Sequence, residues 1–83
     1  MATQLRIAII GAGKAGRGWG ALCAAAGWSV TLFDTSADAM ADAPDEVVQR
    51  ARALVTLDRA NAGEVETGVS QLTVGRSWLQ ATS

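Results

Sequence analysis

Gly11, Gly13 and Gly16 stand at the offsets of a G-x-G-x-x-G turn, written out as Gly11-Ala12-Gly13-Lys14-Ala15-Gly16. A backbone of that kind does its chemistry without side chains. Glycine permits a tight turn and lets the main chain come close to a ligand, while the N–H groups at a helix start present partial positive charge to an anion such as a phosphate. A second candidate is Asp34, 18 residues past Gly16, a carboxylate able to accept hydrogen bonds from sugar hydroxyls. With nine glycines in 83 residues, three at these offsets arise by chance in about one such chain in ten, so the turn alone is a weak signal. The competing readings are a glycine-rich turn entering an alanine-rich helix, and a turn or capping role for Asp34.

The flanking elements decide between these readings. Leu5–Ile10 (LRIAII) reads as a short strand buried on both faces, ending at the turn Gly11–Gly13. Lys14–Ala26 reads as a helix, with Ala15, Trp19, Leu22, Cys23 and Ala26 spaced along one face and Gly27 as the C′ residue. Gly16, Gly18 and Gly20 each weaken that helix by about 1 kcal/mol relative to alanine, so they need a packing or ligand reason. Ser29–Asp34 (SVTLFD) is the second strand, which makes a βαβ unit of about thirty residues. A turn directly after a strand and opening a helix is the context of a dinucleotide fingerprint. There Gly11 makes the turn, Gly13 lets the backbone touch a pyrophosphate, and Gly16 allows close helix–strand packing. Lys14 and Ala15 contribute backbone N–H groups, and Ala12 and Thr35 border the same site. Asp34 at the end of the second strand binds the adenosine ribose and repels a 2′-phosphate. Thr35, Ser36 and Ala37 bring no cation to receive one, so the pattern favours NAD over NADP.

Beyond Asp34, Ser36 reads as the N-cap of a short helix over Ala37–Ala43, which Pro44 interrupts. Pro44 then starts a further helix at N1, followed by Asp45 and Glu46, with Val47, Ala51, Leu54 and Val55 on its apolar face to about Leu57. Asn61–Gly63 is a turn, Glu64–Ser70 one helical turn or two, Gln71–Val74 a short third strand, and Ser77–Ala81 another helix or a frayed end. The fold class is α/β, a partial Rossmann fold with a parallel sheet. Residues 1–83 form the N-terminal part of a dinucleotide-binding domain, with no second domain.

Composition narrows the function further. The 49% hydrophobic and 18% charged content is that of a globular chain. Residues 1–33 carry Arg6, Lys14 and Arg17 and no acid, whereas residues 34–83 carry eight acids against four arginines. The positive end coincides with the glycine turn, as an anionic ligand requires. Three cations are too few for a nucleic-acid surface, and Ile7–Ile10 is too short a run for a signal peptide or a membrane span. The single cysteine, Cys23, fits a reducing cytoplasm and reads as a small core residue, not a nucleophile. Histidine is absent, so no histidine base or metal ligand is present, and neither catalytic nor metal-binding residues are expected. Arg17 reads either as a screen for the pyrophosphate or as a solvated surface arginine. Trp19 reads as packing on the first helix, near enough to border the cofactor. Trp28 and Trp78 read as structural, and Glu64 and Glu66 as a solvated face without a basic partner.

The segment IAIIGAGKAGRGWGALCAAAGWSVTLFD resembles the opening of the L-3-hydroxyacyl-CoA dehydrogenase family, whose pattern is close to GAGxMGxGIA…AxxGxxVxLxD. Gly18 matches the extra glycine after the fingerprint, and Gly27, Val30, Leu32 and Asp34 match the second-strand pattern. Ala15 replaces the common methionine. Trp19, where many members have isoleucine, resembles the branch containing lambda-crystallin (L-gulonate dehydrogenase) and carnitine dehydrogenase. The likeness is specific over residues 5–34 and looser to about Ala81, where LTVGRSWLQA is similar to the family's third strand and following helix. It implies an NAD-dependent oxidoreductase acting on a 3-hydroxyacyl-CoA or a small 3-hydroxy acid through a His–Glu pair with nearby Ser and Asn. None of those positions falls within residues 1–83, so the chain alone is expected to be inactive.

In a sheet of order 3-2-1-4 the first strand is interior, and this chain ends before a fourth strand. Leu5–Ile10 is therefore expected to present an open apolar edge, a hazard for strand exchange. The chain is expected to be a truncated piece or to cover this edge by self-association; a soluble monomer at high concentration would refute both. Two other functions share the motif. A flavoprotein uses the same turn for FAD, although glutamate is then more common at the position of Asp34. A non-catalytic nucleotide-binding or interaction module fits the missing histidine if the natural chain ends at Ser83.

Overall fold

The computed structural model describes residues 5–75; the helix expected over Ser77–Ala81, and Trp78, lie outside them. Three parallel strands, β1 (Arg6–Ile10), β2 (Ser29–Phe33) and β3 (Thr73–Val74), form one sheet in the order β1-β2-β3. Three helices, α1 (Lys14–Ala25), α2 (Ala37–Thr56) and α3 (Ala62–Ser70), connect them. This is the Rossmann-type α/β arrangement that the sequence predicts. Ile7 pairs with Val30 and Ile9 with Leu32, so these four share one sheet face. Val30 and Leu32 are fully buried there beneath helices that pack on one another. On the opposite face the Thr31 and Thr73 hydroxyls share a hydrogen bond of 2.8 Å.

The prediction that β1 is buried on both faces fails. Ile7, Ala8 and Ile9 are half-buried and Ile10 is 53% exposed. β1 lies at an edge of the sheet, and both crossovers step the same way across it. Right-handed connections of that kind place their helices on the same face.

α1 occupies its predicted span but turns a different face inward. Gly20, Ala21, Ala24 and Ala25 are buried, whereas Ala15, Leu22 and Ala26 are exposed and Trp19 is 64% exposed. Size governs the choice. A Cβ on Gly20 would lie 3.4 Å from both Leu32 and Val47, and one on Gly68 of α3 would lie 1.8 Å from the Ala24 carbonyl oxygen. Such close approach admits only small residues, so the larger apolar side chains are left outside. Gly27 ends α1 as predicted, at φ +84°. Its N–H donates to the Ala24 carbonyl and that of Trp28 to the Cys23 carbonyl, the paired bonds of a Schellman ending. Cys23 packs against the core, and burial pushes its thiol pKa up, in keeping with an inert residue.

α2 departs most from expectation, running unbroken for 20 residues through Pro44. A proline in a helix interior removes one hydrogen bond and costs about 3 kcal/mol or more. Here Ala43, Val47 and Ala51, all fully buried, form a stripe at four-residue spacing that continues across it. Tertiary packing on both sides of Pro44 therefore overrides the local break. Ser36 caps the helix as predicted, its hydroxyl accepting from the Ala39 N–H at 3.2 Å. α3 begins at Ala62, inside the segment expected as a turn over Asn61–Gly63, because the Asn61 side chain accepts from the Glu64 N–H at 3.0 Å and caps it. Glu66 does have a basic partner: Arg52 of α2 donates two hydrogen bonds to its carboxylate, at 2.9 and 3.0 Å. Both side chains are more than half exposed, so this pair contributes little stability. Among the described residues no helix is long and apolar enough to cross a membrane.

Candidate functional site

β1 runs straight into the glycine turn. The Gly11 N–H donates to the Phe33 carbonyl at 2.7 Å, extending the β1–β2 ladder by one bond before the chain leaves the sheet. Gly11 sits at φ +113°, a conformation that L side chains rarely adopt. The chain then enters α1 with Gly13 as its N-cap, in extended conformation and without a side-chain cap. A Cβ on Gly16 would lie 1.8 Å from the Gly11 carbonyl oxygen, so the turn closes this tightly only over glycine. A Cβ on Gly13 would meet nothing within 4 Å. The first glycine of the motif thus answers to backbone conformation and the third to close packing. The fold makes no such demand on the second.

A cleft of about 580 Å³ opens at this point, lined among others by Ile9, Gly11, Gly13, Lys14, Gly16 and Trp19. Its helix end carries unpaired N–H groups and no acid in the first turn. Lys14 and Ala15 are exposed beside it. Trp19 reaches the cleft, as the sequence predicts, but does not pack in the core.

Asp34 follows the end of β2, and the fold brings its carboxylate onto the glycine turn. Oδ2 accepts from the Ala12 N–H at 2.7 Å and Oδ1 from the Ser36 N–H at 2.8 Å. These two bonds, that from Ala12 first, hold its pKa below the ordinary aspartate value. Each oxygen keeps acceptor capacity beyond its single backbone donor. Thr35 is exposed on the bend between Asp34 and Ser36. Ala12, by contrast, is fully buried and both its backbone groups are taken, the N–H by Asp34 and the carbonyl by Arg17. It supports the site from behind.

Arg17 is the residue that sequence reasoning missed. It is neither a solvated arginine nor free to screen a phosphate. Its side chain is only 14% exposed. Nε donates to the Ala12 carbonyl at 2.7 Å, and one terminal nitrogen donates to the Ala39 carbonyl and to Asp42, both at 2.9 Å. The other terminal nitrogen pairs with Glu46, which also pairs with Arg50. The hydrogen bond from Arg17 holds the Glu46 pKa below the ordinary glutamate value. Nothing local in the sequence announces contacts between positions 25 and 29 residues apart. The one available signal was Asp42 and Glu46 at i,i+4 spacing, which places two acids on one helix face.

The comparisons with known proteins agree with this geometry. A family model described as "3-hydroxyacyl-CoA dehydrogenase, NAD binding domain" matches residues 6–82. Among solved structures, 3-hydroxybutyryl-CoA dehydrogenase from Escherichia coli is similar over 93% of this chain and 16% of its own, with 30% identity and a TM-score of 0.68. (S)-3-hydroxybutyryl-CoA dehydrogenase PaaH1 from Ralstonia eutropha is 21% identical over 92% of this chain and 27% of its own, with a TM-score of 0.68. FadB2 of M. tuberculosis is 23% identical over 93% and 27%, with a TM-score of 0.69. At these identities the last two show the fold. No curated protein matches the chain. The chain spans about a quarter or less of the solved proteins it resembles. Matched over nearly its whole length, it belongs to the 3-hydroxyacyl-CoA dehydrogenase NAD-binding domain family.

Proposed function

We propose that this chain holds NAD for a 3-hydroxyacyl-CoA-type dehydrogenase, with residues 1–83 as the N-terminal part of the dinucleotide-binding domain. The observation that carries the reading is the Asp34 carboxylate, fixed against the glycine turn by the Ala12 N–H at 2.7 Å with acceptor capacity to spare. The residues present fit the cofactor. The open space at Gly13 and the uncapped start of α1 suit a pyrophosphate, with Lys14, Ala15 and Gly16 supplying further N–H groups. Asp34, with Thr35 beside it, suits the ribose hydroxyls and disfavours a 2′-phosphate. When bound, NAD supplies the hydride acceptor for oxidation of a 3-hydroxyl.

Trp19 supports a finer placement in the lambda-crystallin and carnitine dehydrogenase branch, with a 3-hydroxyacyl-CoA or a small 3-hydroxy acid as substrate. Comparing the two substrate types on the intact protein tests that placement, which fails if neither is oxidised. The single thiol supports a cytoplasmic setting, and lysate fractionation checks it: recovery with the membrane or secreted fraction would oppose it. The edge position of β1 and the exposure of Ile10 support self-association along that strand. Measuring the size of the purified chain in solution tests it, and a stable monomer at high concentration would refute it.

Calorimetric titration with NAD and NADP tests the central assignment. The protein is expected to prefer NAD, and equal affinity for both would refute the role of Asp34. Asp34→Ala should weaken NAD by about tenfold, the scale of a hydrogen bond to a charged group, and narrow the preference over NADP.

A further inference from the structure

We propose that Arg17 is a positioning residue that turns the Gly13 N–H into the cleft by holding the Ala12 carbonyl from behind, an inference that rests on the anion-binding reading of the glycine turn. The Arg17 Nε–H donates to the Ala12 carbonyl at 2.7 Å, while the Arg17 backbone N–H donates to the Gly13 carbonyl at 2.9 Å. One residue therefore grips the chain on both sides of Gly13. All described peptide bonds are trans, and in a trans peptide the N–H opposes the C=O. Fixing the Ala12 carbonyl on Arg17 fixes the Gly13 N–H on the side away from Arg17. The cleft lies on that side, since Gly13 lines it and neither Ala12 nor Arg17 does. Among the described residues no hydrogen bond uses the Gly13 N–H, so it is available to a ligand.

The rest of the guanidinium explains why this arginine does not itself act as a phosphate ligand. Asp42, Glu46 and the Ala39 carbonyl, all on α2, occupy its terminal nitrogens and hold Nε in place. Arg17 thereby ties the turn to α2. Asp34 pins the preceding peptide through the Ala12 N–H. Without the hold on its carbonyl, the Ala12–Gly13 peptide is free to rotate and turn a carbonyl oxygen toward an incoming anion. The turn would then repel what it is built to bind.

Two substitutions separate this role from simple stabilisation. In Arg17→Gln the amide nitrogen occupies the place of Nε and can still donate to the Ala12 carbonyl, whereas Arg17→Met has similar length and no donor. Both lose the pairing with Asp42 and Glu46, so a purely structural role predicts equal losses. Amide spectra of the protein and both variants would be recorded during titration with inorganic pyrophosphate and, separately, with NAD. The expected result is that the Gly13 amide of the unsubstituted protein responds to pyrophosphate. Arg17→Gln should keep most of that response, and Arg17→Met should lose it, with pyrophosphate affinity lower by about tenfold, the scale of one lost hydrogen bond. Equal behaviour of the two variants overturns the proposal. If both variants unfold, the unsubstituted spectrum still decides: a Gly13 amide silent toward pyrophosphate overturns it. A protein that responds to pyrophosphate through Gly13 but does not bind NAD would sink the NAD assignment and leave the role of Arg17 standing.

Discussion

Helix α1 meets a neighbouring backbone near each of its ends, and at both places glycine is required for the same steric reason. At its start a Cβ on Gly16 would come within 1.8 Å of the Gly11 carbonyl oxygen, and near its end a Cβ on Gly68 would come within 1.8 Å of that of Ala24. The first contact folds the turn that faces the cleft, while the second holds α3 against α1 far from it. Identical packing chemistry therefore serves the proposed site in one case and only the fold in the other. The difference lies in what surrounds the contact. Around Gly16 lie a helix start without a side-chain cap, a carboxylate with spare acceptor capacity, and open space at Gly13. At Gly68 the nearest atoms are backbone atoms of Ala24, and Gly68 and Val65 are the buried residues of α3.

Substituting each glycine tests that contrast. Gly68→Ala drives a methyl into three backbone atoms of Ala24, at 1.8, 2.6 and 2.9 Å. The cost is expected to be about 3 kcal/mol, well above the roughly 1 kcal/mol that alanine returns as a better helix former. For a chain of this size that leaves a large unfolded fraction at 25 °C. Gly16→Ala meets the Gly11 carbonyl at the same 1.8 Å but has only one further backbone atom within 3.0 Å, the Gly11 carbonyl carbon at 2.9 Å, so its thermal melt should fall less. Its NAD affinity should nevertheless be lost even at temperatures where the variant is folded. Gly68→Ala should lose binding only in proportion to the unfolded fraction. If both variants lose affinity in step with stability, the division between site and scaffold fails.

The two regions also differ in how plainly the sequence announces them. Strand, turn, helix and second strand were readable because their signals are local: an isoleucine-rich run, glycines at fixed offsets, and an aspartate closing a β-rich segment. The site residues follow from the same signals. What was not readable depends on contacts distant in sequence. Hydrophobicity predicts an inner face of α1 through Trp19 and Leu22, whereas closeness to Leu32, Val47 and Gly68 admits only glycine and alanine. The sequence predicts a break at Pro44 because its local cost is real. The buried stripe through Ala43, Val47 and Ala51 overrode it, and its spacing was present in the sequence. The role of Arg17 required knowing that α2 returns past the glycine turn.

A smaller effect comes from acid. Asp34 and Glu46 near the turn, and Glu66 across α2 and α3, all have folded-state pKa values below their ordinary ones. The unfolded chain therefore binds protons more readily. The stabilisation these groups provide is complete above the unfolded values, about 3.9 for Asp and 4.3 for Glu, and is lost as pH falls through the lower folded values. Thermal melts should be level from about pH 8 to 5 and decline below about 4. Asp34→Asn should flatten part of that decline and Glu66→Gln another part, but only Asp34→Asn should also remove the acid loss of NAD affinity. An acid loss of affinity that persists in Asp34→Asn would shift the site away from this carboxylate.

The smallest effect on stability is expected at Gly13, and it sharpens the comparison most. Its backbone, at φ −78° and ψ −169°, is ordinary extended geometry that alanine adopts freely, and a methyl there touches nothing within 4 Å. Gly13→Ala exchanges a good N-cap for a poorer one while restricting the unfolded chain, so the two effects oppose each other and the net change should stay within about 1 kcal/mol. The methyl would nevertheless project into the space that a pyrophosphate needs when it approaches the first N–H groups of α1. NAD affinity is therefore expected to fall more than tenfold, roughly the scale of losing one hydrogen bond to a charged group, while the thermal melt scarcely moves. That pattern separates Gly13 from Gly16 and Gly68, because the folded chain itself makes no demand for glycine there. If Gly13→Ala binds NAD as tightly as the unsubstituted protein, the cofactor does not approach the chain at this turn.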